Sequence, residues 1–207
     1  LQWSEEDPGI LDKKILFNQE YVVPGQGFQL VASESPLEVG KEYSTIDLIE
    51  RSIIYSDNQA VALLIDNIAQ EKIDDVFKML GVDLDVIHED GGKITVKEYA
   101  AFFRILFNAS YLNRANSERA LEILSRSDFR DGIVAGVPAN ITVSHKFGEG
   151  GIIGGEHQLH DCGIVYYPKH PYLLCVMSSG EKTVGLEGVI EDVSQFVFEE
   201  VAQQYSL

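Results

Sequence analysis

The pattern of apolar and polar positions divides the chain in two. Between Ser44 and about Ser127, apolar residues recur at helical spacing in a run of short segments. Ser44–Tyr55 reads as a helix, with Ser44 as N-cap and Asp47 three residues on, a capping box with Asp in place of Glu. A second helix is expected over about Asn58–Ala69, and a third over Glu71–Leu80, stopped by Gly81. Thr95-Val96-Lys97-Glu98 forms a capping box that opens a fourth, and Asn116 is placed to cap a fifth. After Pro138 the period shortens. NITVSHKF, QLHDCGIVYY and PYLLCVMSS read as strands separated by Gly-rich and Pro-rich turns, with GEGGIIGG as a flexible hairpin tip. The last stretch returns to helical spacing, with Val189, Val193, Phe196, Val197 and Val201 on one face.

Residues 1–43 are irregular, with turn signals at Pro8-Gly9 and Pro24-Gly27 and no strong strand. The expected order is therefore helices, three antiparallel strands and one long helix, an α+β arrangement. Its sheet needs something further to complete an edge or a face.

At 207 residues and 45% hydrophobic content the chain has enough apolar material for one sizeable core. Acidic residues outnumber basic ones 33 to 16, a formal charge of -17, which argues against nucleic acid or anionic lipid as partners. No apolar run approaches membrane-spanning length. A four-residue hairpin loop at Pro168–Pro171 would set Tyr167 opposite Tyr172. Cys162 and Cys175 would then be diagonal neighbours, an arrangement that favours free thiols.

The candidate chemistry lies at Tyr55-Ser56-Asp57-Asn58-Gln59, between the first two helices, and at His145-Lys146-Phe147-Gly148, on the first strand. S-D-N between two helices followed by a K-x-G strand resembles the class A β-lactamases and penicillin-binding proteins. FRDGIVAGVPANITVSHKFGEGG, the D-x-G-I-V strand from Asp161, the P-Y strand and the closing helix extend the resemblance over nearly the whole chain. It implies a β-lactamase/transpeptidase-like domain over 1–207, with a helical subdomain at about 15–138 and a sheet subdomain at about 139–207. It implies acyl transfer to an activated serine from β-lactams or D-Ala-type peptides, with no cofactor or metal, and it suggests an exported protein. By the same resemblance Ser56 relays a proton to the leaving nitrogen. Lys146 holds the substrate carboxylate as a point charge, and the Asn58 amide binds the acyl-amide group. The strand after Gly148 pairs with substrate, the Glu149 N–H supplies half an oxyanion hole, and Asp57 is structural.

Three departures qualify this. The family's S-x-x-K serine is expected upstream of residues 1–14, so the chain reads as lacking an N-terminal part and should be poorly stable alone. The only S-x-x-K, Ser179–Lys182, falls at a turn after the last strand. Phe147 stands where the family carries a small hydroxyl residue, which removes a carboxylate ligand and adds bulk. The segment from Leu80 to Thr95 lacks the E-x-x-L-N glutamate that activates the deacylating water. Glu89, the nearest acid, reads as a solvated loop residue. The rival to a hydrolase is a non-catalytic binding module on the same fold.

Other patterns carry less. Residues 87–98 fail two ligand positions of a calcium loop. His157 and His160 are three apart on a strand and so face opposite ways, while His145 is placed to border the cleft. As expected of a sequence without a helix-borne S-x-x-K, the 207-residue chain should not turn over nitrocefin at a useful rate; steady hydrolysis by purified chain would refute this.

Overall fold

The computed structural model describes residues 1–22, 36–79, 94–153, 156–182 and 185–205. The turn expected at Pro24–Gly27, the helix stop at Gly81 and the loop carrying Glu89 lie outside the described residues. In chain order come α1 (Trp3–Glu6), a 3-10 turn (Pro8–Asp12), β1 (Lys14–Leu16), β2 (Glu42–Ser44), α2 (Thr45–Ile54), α3 (Asn58–Asp66) and α4 (Gln70–Met79). They are followed by α5 (Val96–Phe107), α6 (Arg114–Ser125), β3 (Val143–Ile153), β4 (Glu156–Val165), β5 (Tyr172–Gly180) and α7 (Leu186–Gln204).

Helices α2, α3, α5 and α6 start where short polar side chains satisfy their first N–H groups. The Ser44 hydroxyl accepts from the Asp47 N–H, but the Asp47 carboxylate turns to Arg51, 3.0 Å away, so the expected box is not reciprocal. Thr95 and Glu98 do form the full box. The fifth predicted helix begins earlier than Asn116. Asn113 is its cap, accepting from the Asn116 N–H at 2.9 Å, which frees the Asn116 amide to donate to Leu1 O and Ser4 Oγ near the chain start. β1 and β2, in a segment with no strong strand signal, pair antiparallel around Ile15 and Tyr43. With Phe17, Leu48, Ala60 and Leu63 they form a separate apolar cluster.

β3, β4 and β5 make an antiparallel sheet in that order. β4 is central and buried on both faces. On one face Phe129, Ile133, Val143, Phe147 and Leu159 pack with Leu186 and Ile190 of α7. On the other, Cys162 and Ile164 pack with Phe103 of α5 and Leu121 and Leu124 of α6. This is the α+β order of helices, antiparallel sheet and closing helix that the pattern predicted, but α7 turns Leu186 and Ile190 to the sheet and leaves Val189, Val193 and Phe196 exposed.

Two strand details differ from expectation. β3 continues through Gly148–Gly150 to Ile153, with a register shift after Gly150, so most of the supposed flexible tip is paired strand. The β4–β5 connection spans residues 166–171, pairing Val165 with Tyr172 rather than Tyr167 with Tyr172. That shift of two residues makes Cys162 and Cys175 direct partners, with Cα atoms 4.0 Å apart. They are joined as a disulfide rather than left as free thiols.

The β3–β4 contact tolerates no side chain at Gly163, where a Cβ would stand 2.5 Å from the His145 Cβ and 2.7 Å from the Ser144 carbonyl oxygen. G163A should therefore lower the unfolding free energy by about 1–3 kcal/mol in urea titrations. G188A, in α7 with open space around it, should leave it equal or raised by about 0.5–1 kcal/mol.

Candidate active site

Ser56 is set by the way two helices meet. α2 ends at Tyr55 and α3 begins at Asn58, so the chain must turn within two residues. Ser56 makes that turn in the left-handed region, at φ 53°. This conformation is disfavoured for a residue with a Cβ by roughly 1–2 kcal/mol, and its presence in a non-glycine residue marks a position held for a purpose. The turn is clamped on both sides. Asp57 caps α3 by accepting from the N–H groups of Gln59 and Ala60, at 2.9 and 3.2 Å. Its own N–H donates to the Arg51 carbonyl oxygen, and the Asp128 N–H donates to Ile54 O.

Lys146 comes from β3, 90 residues along the chain. Its Nζ donates to Ser56 Oγ at 2.8 Å and to the Phe147 carbonyl oxygen at 2.9 Å. The Phe147 ring centroid lies 4.1 Å from the same nitrogen. The strand is fixed at this residue by the Tyr99 hydroxyl of α5, which donates to the Lys146 carbonyl oxygen at 2.7 Å.

Beside Lys146 lies a buried pair that the sequence did not reveal. His145, expected at the cleft border, is fully buried, with its Nδ1 2.9 Å from Asp161 Oδ1 of β4. Asp161 Oδ2 accepts from the Ile133 N–H at 2.9 Å, which ties the segment before β3 to the sheet. A Cβ at Gly132 would stand 2.5 Å from that oxygen, so glycine there makes room for the carboxylate.

Burial, the largest effect, pulls the Lys146 amine down to about 8, while the negative charges of Asp161 and Glu149 oppose it. Burial first, then Asp161, pushes the Tyr99 hydroxyl well above its ordinary value, so it remains a neutral donor. An amine near pH 8 and 2.8 Å from a hydroxyl is equipped to exchange a proton with it close to neutrality.

The sequence-predicted residues thus fall in two groups. The structure brings Ser56 and Lys146 into direct contact, and Asp57 caps α3 next to Ser56. Asn58 opens α3 as its first residue, two positions after Ser56, while Gly148 and Glu149 continue β3 past Lys146, opposite His160 and Leu159. Tyr99 and Phe129 were not singled out by sequence and looked like ordinary aromatics of the core. Asp161 was noted only as the first residue of the D-x-G-I-V strand, with no role at the site. An apolar cavity of about 470 Å³ lies elsewhere, between α1, α2, α4 and α5, and contains none of these residues.

The low amine value makes stability pH-dependent with a definite sign. Between about pH 8 and the unfolded lysine value of 10.5 the unfolded chain binds more protons at this position, so stability rises with pH there and is lost as pH falls through about 8. The difference in unfolding free energy between wild type and K146M should grow in favour of wild type from pH 8 to pH 10, measured by urea titration; a flat difference would refute it.

The chain is similar in sequence and fold to known proteins. A model of the β-lactamase enzyme family matches residues 1–201. No curated protein matches the chain. The fold is similar to that of PBP-A, at 19% identity and TM-score 0.73, with 98% of this chain and 76% of that one covered. It is similar to a β-lactamase from Chitinophaga pinensis, at 17% identity and TM-score 0.78, covering 97% and 80%. A class A β-lactamase from Mycobacterium abscessus matches at 21% identity and TM-score 0.75, covering 97% and 79%. With S-D-N and K-x-G meeting across 90 residues, and with the matched model spanning nearly its whole length, the chain belongs to the β-lactamase enzyme family as a serine hydrolase-like domain.

Proposed function

We propose that the chain forms the larger part of a serine hydrolase acting on β-lactams or D-Ala-type peptides through an acyl-enzyme. The observation that carries this reading is the 2.8 Å contact between Lys146 Nζ and Ser56 Oγ. A helix cap alone needs a polar residue at the α2–α3 junction, but it does not need a buried ammonium delivered to it from a distant strand.

The 207 residues carry no helix-borne S-x-x-K, so in this mechanism the acylated serine is not among the site residues described above. Ser56, held by Lys146, passes its proton to the leaving nitrogen as the carbonyl–nitrogen bond breaks, and Lys146 makes good that proton. The Asn58 amide, with both donor and acceptor, binds the acyl-amide group. The β3 backbone from Gly148 aligns the substrate, and the Glu149 N–H supplies one donor to the oxyanion. The lack of an E-x-x-L-N glutamate between Leu80 and Thr95 makes the acyl-enzyme long-lived, closer to penicillin-binding behaviour than to fast hydrolysis. The disulfide of Cys162 and Cys175 supports an oxidising compartment outside the cytoplasm.

One observation favours a second reading, a binding module without chemistry: Phe147 crowds the amine where a hydroxyl would serve catalysis. A single experiment separates the two. Protein expressed with the coding sequence upstream of Leu1 is incubated with a fluorescent penicillin and, separately, with its methyl ester. Covalent labelling by either, slowed at least about a hundredfold in K146A, is expected of the hydrolase. No adduct from either reagent in excess would move the assignment to the binding module.

A further inference from the structure

The geometry points to a substrate class narrower than the fold suggests: acyl substrates with no free carboxylate beside the scissile bond, such as esters, amides or peptides extended beyond the cleaved residue. This inference rests on the serine hydrolase reading of the same site.

The argument concerns how many hydrogen bonds one ammonium can make. A lysine ammonium has three N–H donors. In Lys146 one is given to Ser56 Oγ at 2.8 Å and one to its neighbour's carbonyl oxygen at 2.9 Å. The Phe147 ring, 4.1 Å from the nitrogen, takes the remaining direction with the negative face of its π system. A carboxylate arriving here has to displace one of these contacts and desolvate itself against an aromatic wall.

Nor is the wall free to swing aside. Phe147 is 2% exposed and stacks on Phe129, 3% exposed, with ring centroids 4.4 Å apart and planes at 27°. Both rings belong to the core formed with Ile133, Leu186 and Ile190. Moving the Phe147 side chain opens that close-packed core and leaves its neighbours without their contacts. The charges around the amine act in the same sense. Glu149 on β3 and Asp161 on β4 already supply negative charge to the amine, and both repel an incoming anion. The side chain at position 147, which could have supplied a hydroxyl to such an anion, supplies the ring instead.

The test compares benzylpenicillin with its methyl ester as non-covalent ligands of the 207-residue chain, by ligand-observed NMR titration. Wild type is expected to bind the ester at least as tightly as the acid, and the acid affinity should be nearly independent of salt between 20 and 200 mM, about one decade of ionic strength. F147T, which removes the ring and adds a hydroxyl, should reverse the order in favour of the acid by about tenfold, one decade or ~1.4 kcal/mol. Wild type preferring the acid by tenfold would overturn the substrate class and leave the serine hydrolase reading intact. Binding of neither ligand, by either protein, would overturn both. The wild-type arm requires no variant, so a failure of F147T to fold does not protect the inference.

Discussion

A single charged hydrogen bond, from the Lys146 ammonium to the Ser56 hydroxyl, determines how the helices and the sheet have to meet. Its two ends lie 90 residues apart, and each is fixed by unrelated local chemistry. Ser56 is projected by a left-handed residue between two capped helices, so the position of its oxygen depends on the Asp57 cap and on the α2 carboxyl end. Lys146 is presented by a strand whose backbone is held by the Tyr99 hydroxyl on one side and, one residue earlier, by the His145–Asp161 pair. A buried ammonium deprived of its acceptor carries a penalty above the about 1–3 kcal/mol of an unsatisfied neutral group. The contact therefore selects one relative placement of α2, α3 and β3 over near alternatives.

Everything behind the amine follows from the double burial of β4. A strand covered on both faces has no solvent to take up its polar side chains, so Asp161 must find all its partners inside. It finds them in the His145 imidazole and the Ile133 N–H, and glycines at 132 and 163 leave the space in which these groups approach. The same negative charge reaches Lys146 and Tyr99, keeping the amine closer to its charged form than burial alone allows and keeping the phenol neutral. Packing and site electrostatics are thus one arrangement: the residue that anchors the segment before β3 to the sheet also biases the proton on the lysine in front of it.

Phe147 shows how a core residue comes to bear on recognition. It belongs to the apolar cluster between the sheet and α7, stacked on Phe129, yet a face of its ring meets the ammonium. At this position the phenyl ring packs into the core and covers one side of the amine. The lysine of the K-x-G strand is retained beside this ring, in a chain whose formal charge is -17.

Much of this was legible in the sequence, because caps, hydrophobic period and motif spacing are local properties. Ser44, Asp57 and Thr95 announce helix starts through the donors they satisfy. The alternation after Pro138 announces a sheet, and S-D-N with Lys146 announces the family. What local chemistry could not determine was register and cover. Whether the β4–β5 connection holds four residues or six decides if Cys162 faces Cys175, and that depends on how both strands pack against α5 and α7. The same holds for the choice of Asn113 over Asn116 as a cap, the burial of His145 and the wall that Phe147 makes. Each depends on which distant surface covers the residue, and a strand sequence carries no record of its cover until the helices have closed over it.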